Sequence, residues 1–206
     1  MNTEPVVHSL FGVHVYATKL NREFNSEEIK EINEHQNKSV KNVSNFSTIN
    51  TYILNEPVFS NLKNDLHIVV KDYFDKIIRP KEETITPYIT QSWLNYTREK
   101  EYHHMHSHSN SILSGVLYIK SDPENDMIDF YDPIENQFEI PTKEFTQYNS
   151  KKWSFKVSEK DILLFPSNTK HSVQIKNKNN LRISLAFNVF VKGKMGNNFD
   201  LTELII

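Results

Sequence analysis

The sequence predicts an α+β fold, mainly β, in which a jelly-roll barrel or β-sandwich of short strands carries helices on its outside. Three observations lead there. Apolar residues recur at helical spacing only in the first part of the chain. From residue 88 onward, short runs rich in β-branched and aromatic residues follow one another. Polar turn formers separate those runs, and about seven strands in a row after a helical region is the pattern of a sandwich or jelly roll.

The elements follow in order. "VVHSLFGVHVY" (6–16) reads as a strand. "NSEEIKEINEHQ" (25–36) offers Asn25 or Ser26 as an N-cap with acids in the first turn, so a short helix follows. In "EPVFSNLKNDLHIVVKDYFDKII" (56–78), Phe59, Leu62, Leu66, Val69, Val70, Tyr73 and Ile77 fall at helical spacing. "RPKEETITP" (79–87) ends that helix. The strands expected after it are 88–97, 110–120, 126–132, 152–157, 161–166, 171–176 and 181–191. "NKNN" (177–180) is a polar loop suited to a hairpin between the last two. That hairpin would set His171 opposite Ala186 and put His171, Arg182 and Ser184 on one face.

Length and composition suit one domain over residues 1–206, with helical support over about 20–80 and a jelly-roll core over about 88–191. The chain has no cysteine, which removes disulfides, zinc–thiolate sites and thiol nucleophiles and fits a reducing compartment. With 24 basic and 26 acidic residues it has a net charge of −2, and no nucleic-acid or anionic-membrane partner is indicated. The start, "MNTEPVVHSLFG", lacks a signal peptide's basic flank and apolar core, and no apolar run reaches the length of a membrane span. The expectation is a soluble cytoplasmic protein.

"EYHHMHSHSNSILSGVLYI" (101–119) holds four of the nine histidines within six positions. In an extended segment His104, His106 and His108 share one face and His103 points to the other. Two imidazoles one strand step apart can converge on one metal ion. His171, opening a strand after "PSNTK", is the best placed third ligand. The same tract also fits a solvated polar loop. Arg182 lies between apolar neighbours, where a cation needs an anionic partner; arginine grips carboxylates in bidentate fashion, and Ser184 can add a hydrogen bond.

These residues resemble the Fe(II)- and 2-oxoglutarate-dependent oxygenases, and within them a group frequent in phages and bacteria. "SWLNY", "YHHMHSHSNSILSGVLYI", "DILLFPSNTKHSV" and "LRISLAFN" carry the likeness. The resemblance implies a double-stranded β-helix with the metal at its open mouth. It implies Fe(II) on His106, His108 and His171, with 2-oxoglutarate and O2 as co-substrates and an unidentified prime substrate that is hydroxylated. Arg182 and Ser184 match the residues expected to hold the far carboxylate of 2-oxoglutarate. Tyr118 matches a pocket tyrosine, and Asn95 lies on the neighbouring strand. The superfamily pattern is His-x-Asp…His, so His108 stands where a carboxylate is usual. Asp129 or Asp132 could supply a carboxylate from another strand, and His104 competes with His108 as the partner of His106. Glycine is frequent in that group before the strand "DILLF", where this chain has Lys160. Residues 133–151 read as a polar insertion suited to a lid. Two other classes share these residues: a cupin-like metalloprotein that does not use 2-oxoglutarate, and a non-enzymatic β-sandwich binding or virion protein.

Overall fold

Two antiparallel sheets lie face to face, and two helices cover the outside of the larger one. The computed structural model describes residues 11–81, 85–134 and 140–206. The large sheet runs β1 (Tyr16–Lys19), β9 (Asp161–Pro166), β6 (Leu113–Lys120), β11 (Arg182–Met195), β4 (Ile85–Thr97), β3 (Asn45–Ser47) and β2 (Val40–Asn42), with β12 (Leu204–Ile205) paired to β11. The small sheet runs β5 (His103–His106), β10 (His171–Val173), β7 (Met127–Tyr131) and β8 (Lys152–Lys156). Consecutive strands change sheet repeatedly, which is the winding of a double-stranded β-helix.

Helix α1 (Ser26–Asn37) starts as the sequence predicts. Asn25 Oδ1 accepts from the amides of Glu27 and Glu28, and the Glu28 carboxylate accepts from the amide of Asn25. The same buried carboxylate takes both terminal nitrogens of Arg22, so one side chain caps the helix and anchors the chain before it. Helix α2 (Ser60–Tyr73) buries Leu62, Leu66, Val70 and Tyr73 against Leu94, Leu117 and Phe187 of the large sheet. Its continuation, Phe74–Ile78, is a wide turn, and Ile77 is exposed rather than on the buried face. A second apolar cluster, with Val116, Tyr118, Ile128, Phe130, Leu163 and Phe165, fills the space between the sheets. Gly115 stands between these layers: a Cβ there would come within 2.1 Å of the Phe187 ring lying across it.

Several boundaries differ from the sequence expectation. Residues 6–10 of the expected first strand lie outside the described residues, and pairing begins only at Tyr16, against Leu164. The hairpin β2–β3 was not expected; its strands are three residues long, too short for a period to show. Lys160 has φ of 69°, a left-handed conformation, at the position where glycine is frequent in the group the sequence resembles.

The expected hairpin between 171–176 and 181–191 does not form. His171 pairs with His106 and Phe130 in the small sheet, whereas Arg182 pairs with Thr97 in the large one. The polar "NKNN" loop has no strand to fold back on, because the chain before it is already taken. Lys176 donates its amide to Glu101 O and accepts from the amide of Lys100, and its ammonium is buried on Asp126 at 2.6 Å. Residues 174–181 are therefore a crossing between sheets. His171 and Arg182 reach the same cavity from opposite walls, not along one face of a hairpin.

Candidate metal centre

Strand alternation builds one wall of the cavity. Along β11, Arg182, Ser184 and Ala186 line the cavity, and Asn188, two residues on, reaches His108 from the same face. Ser184 is paired with Asn95 on β4 and with Tyr118 on β6, so these three form one cross-strand row. Ala186 heads a second row between Trp93 and Val116. Four of the expected pocket residues, Asn95, Tyr118, Arg182 and Ser184, thus line one cavity, as do His106, His108 and His171.

The small sheet supplies the other wall. His106 and His171 are cross-strand partners with ring centroids 4.3 Å apart, and the centroid of His108 lies 5.1 Å from His106 and 5.2 Å from His171. One ring nitrogen from each of these three residues lies within 4.8 Å of the other two. The opposite nitrogens are engaged. His106 Nδ1 lies 2.8 Å from His104 O and His171 Nδ1 lies 3.0 Å from Thr169 O. A main-chain carbonyl only accepts, so both Nδ1 atoms carry the proton and both Nε2 atoms keep a bare lone pair. Burial lowers the pKa of all three rings, that of His171 to about 3, so they are neutral and able to donate to a metal. A neutral three-imidazole set with its lone pairs converging fits a divalent first-row ion.

Expectations about the other candidates are corrected. His103 was expected on the opposite face, yet it lines the cavity and stacks on His106 at 4.6 Å with planes 15° apart. A bulge is the cause: three steps on β5, His103 to His106, match two on β10, Val173 to His171. The extra residue turns His103 inward. His104 does not join the ligand cluster; its carbonyl orients His106. Asp129 offers no free oxygen, because Lys152, Ser154 and Gln174 hold its carboxylate on the far side of the small sheet. Asp132 caps the amide of Ile134 in an exposed turn. Of the expected lid, residues 135–139 lie outside the described residues, and 140–151 contain no strand or helix.

Arg182 defines the deep end. It is 3% exposed, yet Nε and Nη1 have no hydrogen-bond partner and Nη2 reaches only Thr97 Oγ1 at 3.3 Å. Burial lowers its pKa, with Tyr118 and Asp126 acting the other way. Asp126 is already neutralised by Lys176. Among the described residues the guanidinium is therefore a buried cation with no carboxylate bonded to it, and two unpartnered donors in a cavity call for an anion with acceptor oxygens. Asn95 Oδ1 is also without a partner beside it. The two orphaned guanidinium donors fit an anionic oxoacid in the cavity they share with the imidazoles. Sequence reasoning missed Trp93, whose ring lies 5.6 Å from His108, and the Asp126–Lys176 pair; both sit in segments that read as ordinary strand or turn.

Comparison with known proteins agrees with this geometry. The model of the family described as "Putative 2OG-Fe(II) oxygenase" matches residues 91–188, the stretch from within β4 to within β11 that contains every residue named above as metal-facing. The fold is similar to that of HygX from Streptomyces hygroscopicus, solved with nickel, 2-oxoglutarate and hygromycin B, at 12% identity and a TM-score of 0.56 over 86% of this chain and 82% of that one. It is similar to the non-heme alpha ketoglutarate dependent epimerase SnoN from nogalamycin biosynthesis, at 10% identity and 0.61 over 85% and 76%. It is also similar to a Pseudomonas putida prolyl-4-hydroxylase, at 9% identity and 0.54 over 84% and 91%. At these identities the likeness is one of fold. Among curated proteins, none matches the chain in sequence.

Proposed function

We propose that this chain is a 2OG-Fe(II) oxygenase, a reading supported by the family match over residues 91–188, that His106, His108 and His171 hold the Fe(II), and that Arg182 and Ser184 hold the far carboxylate of 2-oxoglutarate. Tyr118 and Asn95 flank Ser184 in the same row and wall that end of the cavity. The reaction proposed is hydroxylation of a C–H bond. When bound, iron and 2-oxoglutarate let O2 oxidise the keto acid to succinate and CO2 and place the second oxygen atom in the substrate.

The chain's own residues do the positioning. Three neutral imidazoles leave the ion its full positive charge, which strengthens its grip on an oxoacid. Arg182 anchors the other end and fixes how far the keto acid reaches toward the histidines. Val116, Ile128 and Phe165 line the path between and keep it dry. Trp93 lies beside His108 on the wall formed by β4.

The observation that carries this reading is the buried guanidinium with two unpartnered nitrogens in the same cavity as three imidazoles whose ring nitrogens lie within 4.8 Å of one another. A metalloprotein without 2-oxoglutarate would leave that cation uncompensated. Ferrous iron in a chain without cysteine suits the reducing cytoplasm. The test is succinate formation from 2-oxoglutarate under Fe(II), ascorbate and O2. Turnover is expected with wild type and loss of it with His171→Ala and Arg182→Met; absence of 2-oxoglutarate binding or consumption by Fe(II)-loaded wild type would overturn the proposal.

A further inference from the structure

The three Nδ1 groups are not held alike. His106 and His171 are oriented by main-chain carbonyls two residues upstream, which no substitution removes. His108 is oriented by side chains: its Nδ1 lies 2.6 Å from Asn188 Oδ1 and 2.9 Å from Ser114 Oγ. It also sits past the end of β5, on irregular backbone tied to the large sheet's side by its amide on Ser167 O at 2.9 Å. Of the three rings, this one depends most on side chains for its aim.

The network also has a fixed direction. Ser114 Oγ lies 2.8 Å from Ser167 Oγ, Ser167 Oγ lies 2.8 Å from Ser111 Oγ, and Ser111 ends on the carbonyls of Leu113 and Val189 at 2.9 and 3.2 Å. Those carbonyls only accept, so the Ser111 hydroxyl donates to them. Ser111 then accepts from Ser167, and Ser114 gives its one proton to Ser167 or, at 3.4 Å, to Asn188 Oδ1. Ser114 has no second proton for the ring, and Asn188 Oδ1 has none. Both therefore accept at His108, whose Nδ1 must carry the proton while Nε2 is bare.

We propose that Asn188 is the positioning residue for His108: with Ser114 it locks the ring in its Nδ1–H tautomer and aims Nε2 at His106 and His171, and so sets how tightly the site holds a divalent metal. Asn188 is suited to this, being buried on β11 directly across from Ser114 on β6. His108 stands where a carboxylate is usual, and a carboxylate has no tautomer to fix; the asparagine and serine chain answer a need created by the imidazole. The inference rests on the reading of His108 as a ligand.

The test is a double-mutant cycle on the full chain, stripped of metal and titrated with Co(II) against a competing chelator while the visible ligand-field bands are recorded. Asn188→Ala should weaken Co(II) binding about 10- to 100-fold and change the bands. Asn188→Asp, whose carboxylate also accepts from Nδ1–H, should stay close to wild type. In a His108→Ala background Asn188→Ala should add nothing, since its effect runs through that ring. Unchanged affinity and bands in Asn188→Ala, or the same loss with and without His108, would overturn the proposal. Should Asn188→Ala fail to fold, Ser114→Ala enters the same cycle with a smaller expected loss and the same required dependence on His108. Wild type that takes up no Co(II) would overturn the ligand reading and this inference with it; uptake combined with an additive cycle would overturn this inference alone.

Discussion

Replacing Arg182 with methionine should make the unliganded protein more stable and the enzyme useless. The guanidinium is buried among Tyr118, Ser184 and Thr97 with two nitrogens unpartnered. Each orphaned buried donor costs about 1–3 kcal/mol. Exchange of a buried ion for an apolar side chain of similar volume is worth about 1–4 kcal/mol in favourable cases. The two ranges overlap at about 2–4 kcal/mol of added stability. For a chain of this size that is a rise in Tm of about 4–16 °C. Binding of 2-oxoglutarate should fall in the opposite direction, by about 2–5 kcal/mol, or about 30- to 5,000-fold, because a buried carboxylate would be left without its cation. The assay is thermal melting of the Mn(II)-loaded protein with and without 2-oxoglutarate, joined to anaerobic calorimetry. At a co-substrate concentration about 100 times the wild-type Kd, wild type should gain about 2.7 kcal/mol and the variant no more than about 0.9 kcal/mol, so the gap in melting between them should narrow. An Arg182→Met protein that melts below unliganded wild type, or that binds 2-oxoglutarate as tightly, would refute the reasoning: the guanidinium would then be satisfied in the free protein or remote from the acid.

Other outcomes follow from the same coordinates. His103→Phe keeps the stack on His106 but removes the ring nitrogens facing the cavity; 2-oxoglutarate affinity should drop about 2- to 12-fold, one hydrogen bond's worth, with Co(II) affinity unchanged, and calorimetry showing no drop would reduce His103 to a wall. In the metal-free protein, burial holds His103 and His171 at about 3, below the value of about 6.5 expected on unfolding. The unfolded chain therefore takes up those protons first, so stability is full above pH of about 6.5 and declines as pH falls from there toward 3, by up to about 1.4 kcal/mol per unit for each ring. Urea melts between pH 7 and 5 should show that slope, and a divalent metal should flatten it; a flat metal-free profile would contradict the burial of these rings. Gly115→Ala should cost about 1–3 kcal/mol by overpacking against Phe187, read as a lower urea midpoint; an unchanged midpoint would mean that the ring swings aside freely.

The sequence by itself determined the ingredients and most of the elements. Helical spacing located α2, the cap candidates Asn25 and Ser26 with acids in the first turn located the start of α1, and β-rich runs located the strands from β4 onward, because those signals are local: periods, caps and turn formers within a few residues of each other. It also marked the histidine tract 103–108 and Arg182, since clustered imidazoles and a cation among apolar neighbours are chemically unusual whatever the fold, and His171 as a strand-opening partner; the choice of His106 and His108 within the tract rested on the family resemblance. Only the tertiary structure decided how those residues meet. The sheet change after Val173 moved His171 to the wall opposite Arg182, and one extra residue on β5 turned His103 inward; neither a crossing nor a bulge leaves a periodic trace. The partners of His108 come from positions 114 and 188, and the ion pair behind Arg182 joins positions 126 and 176. Each of those residues reads locally as plain strand or turn. They become a site because distant backbone is brought within hydrogen-bond reach, and that depends on which strands pair rather than on what any one strand contains.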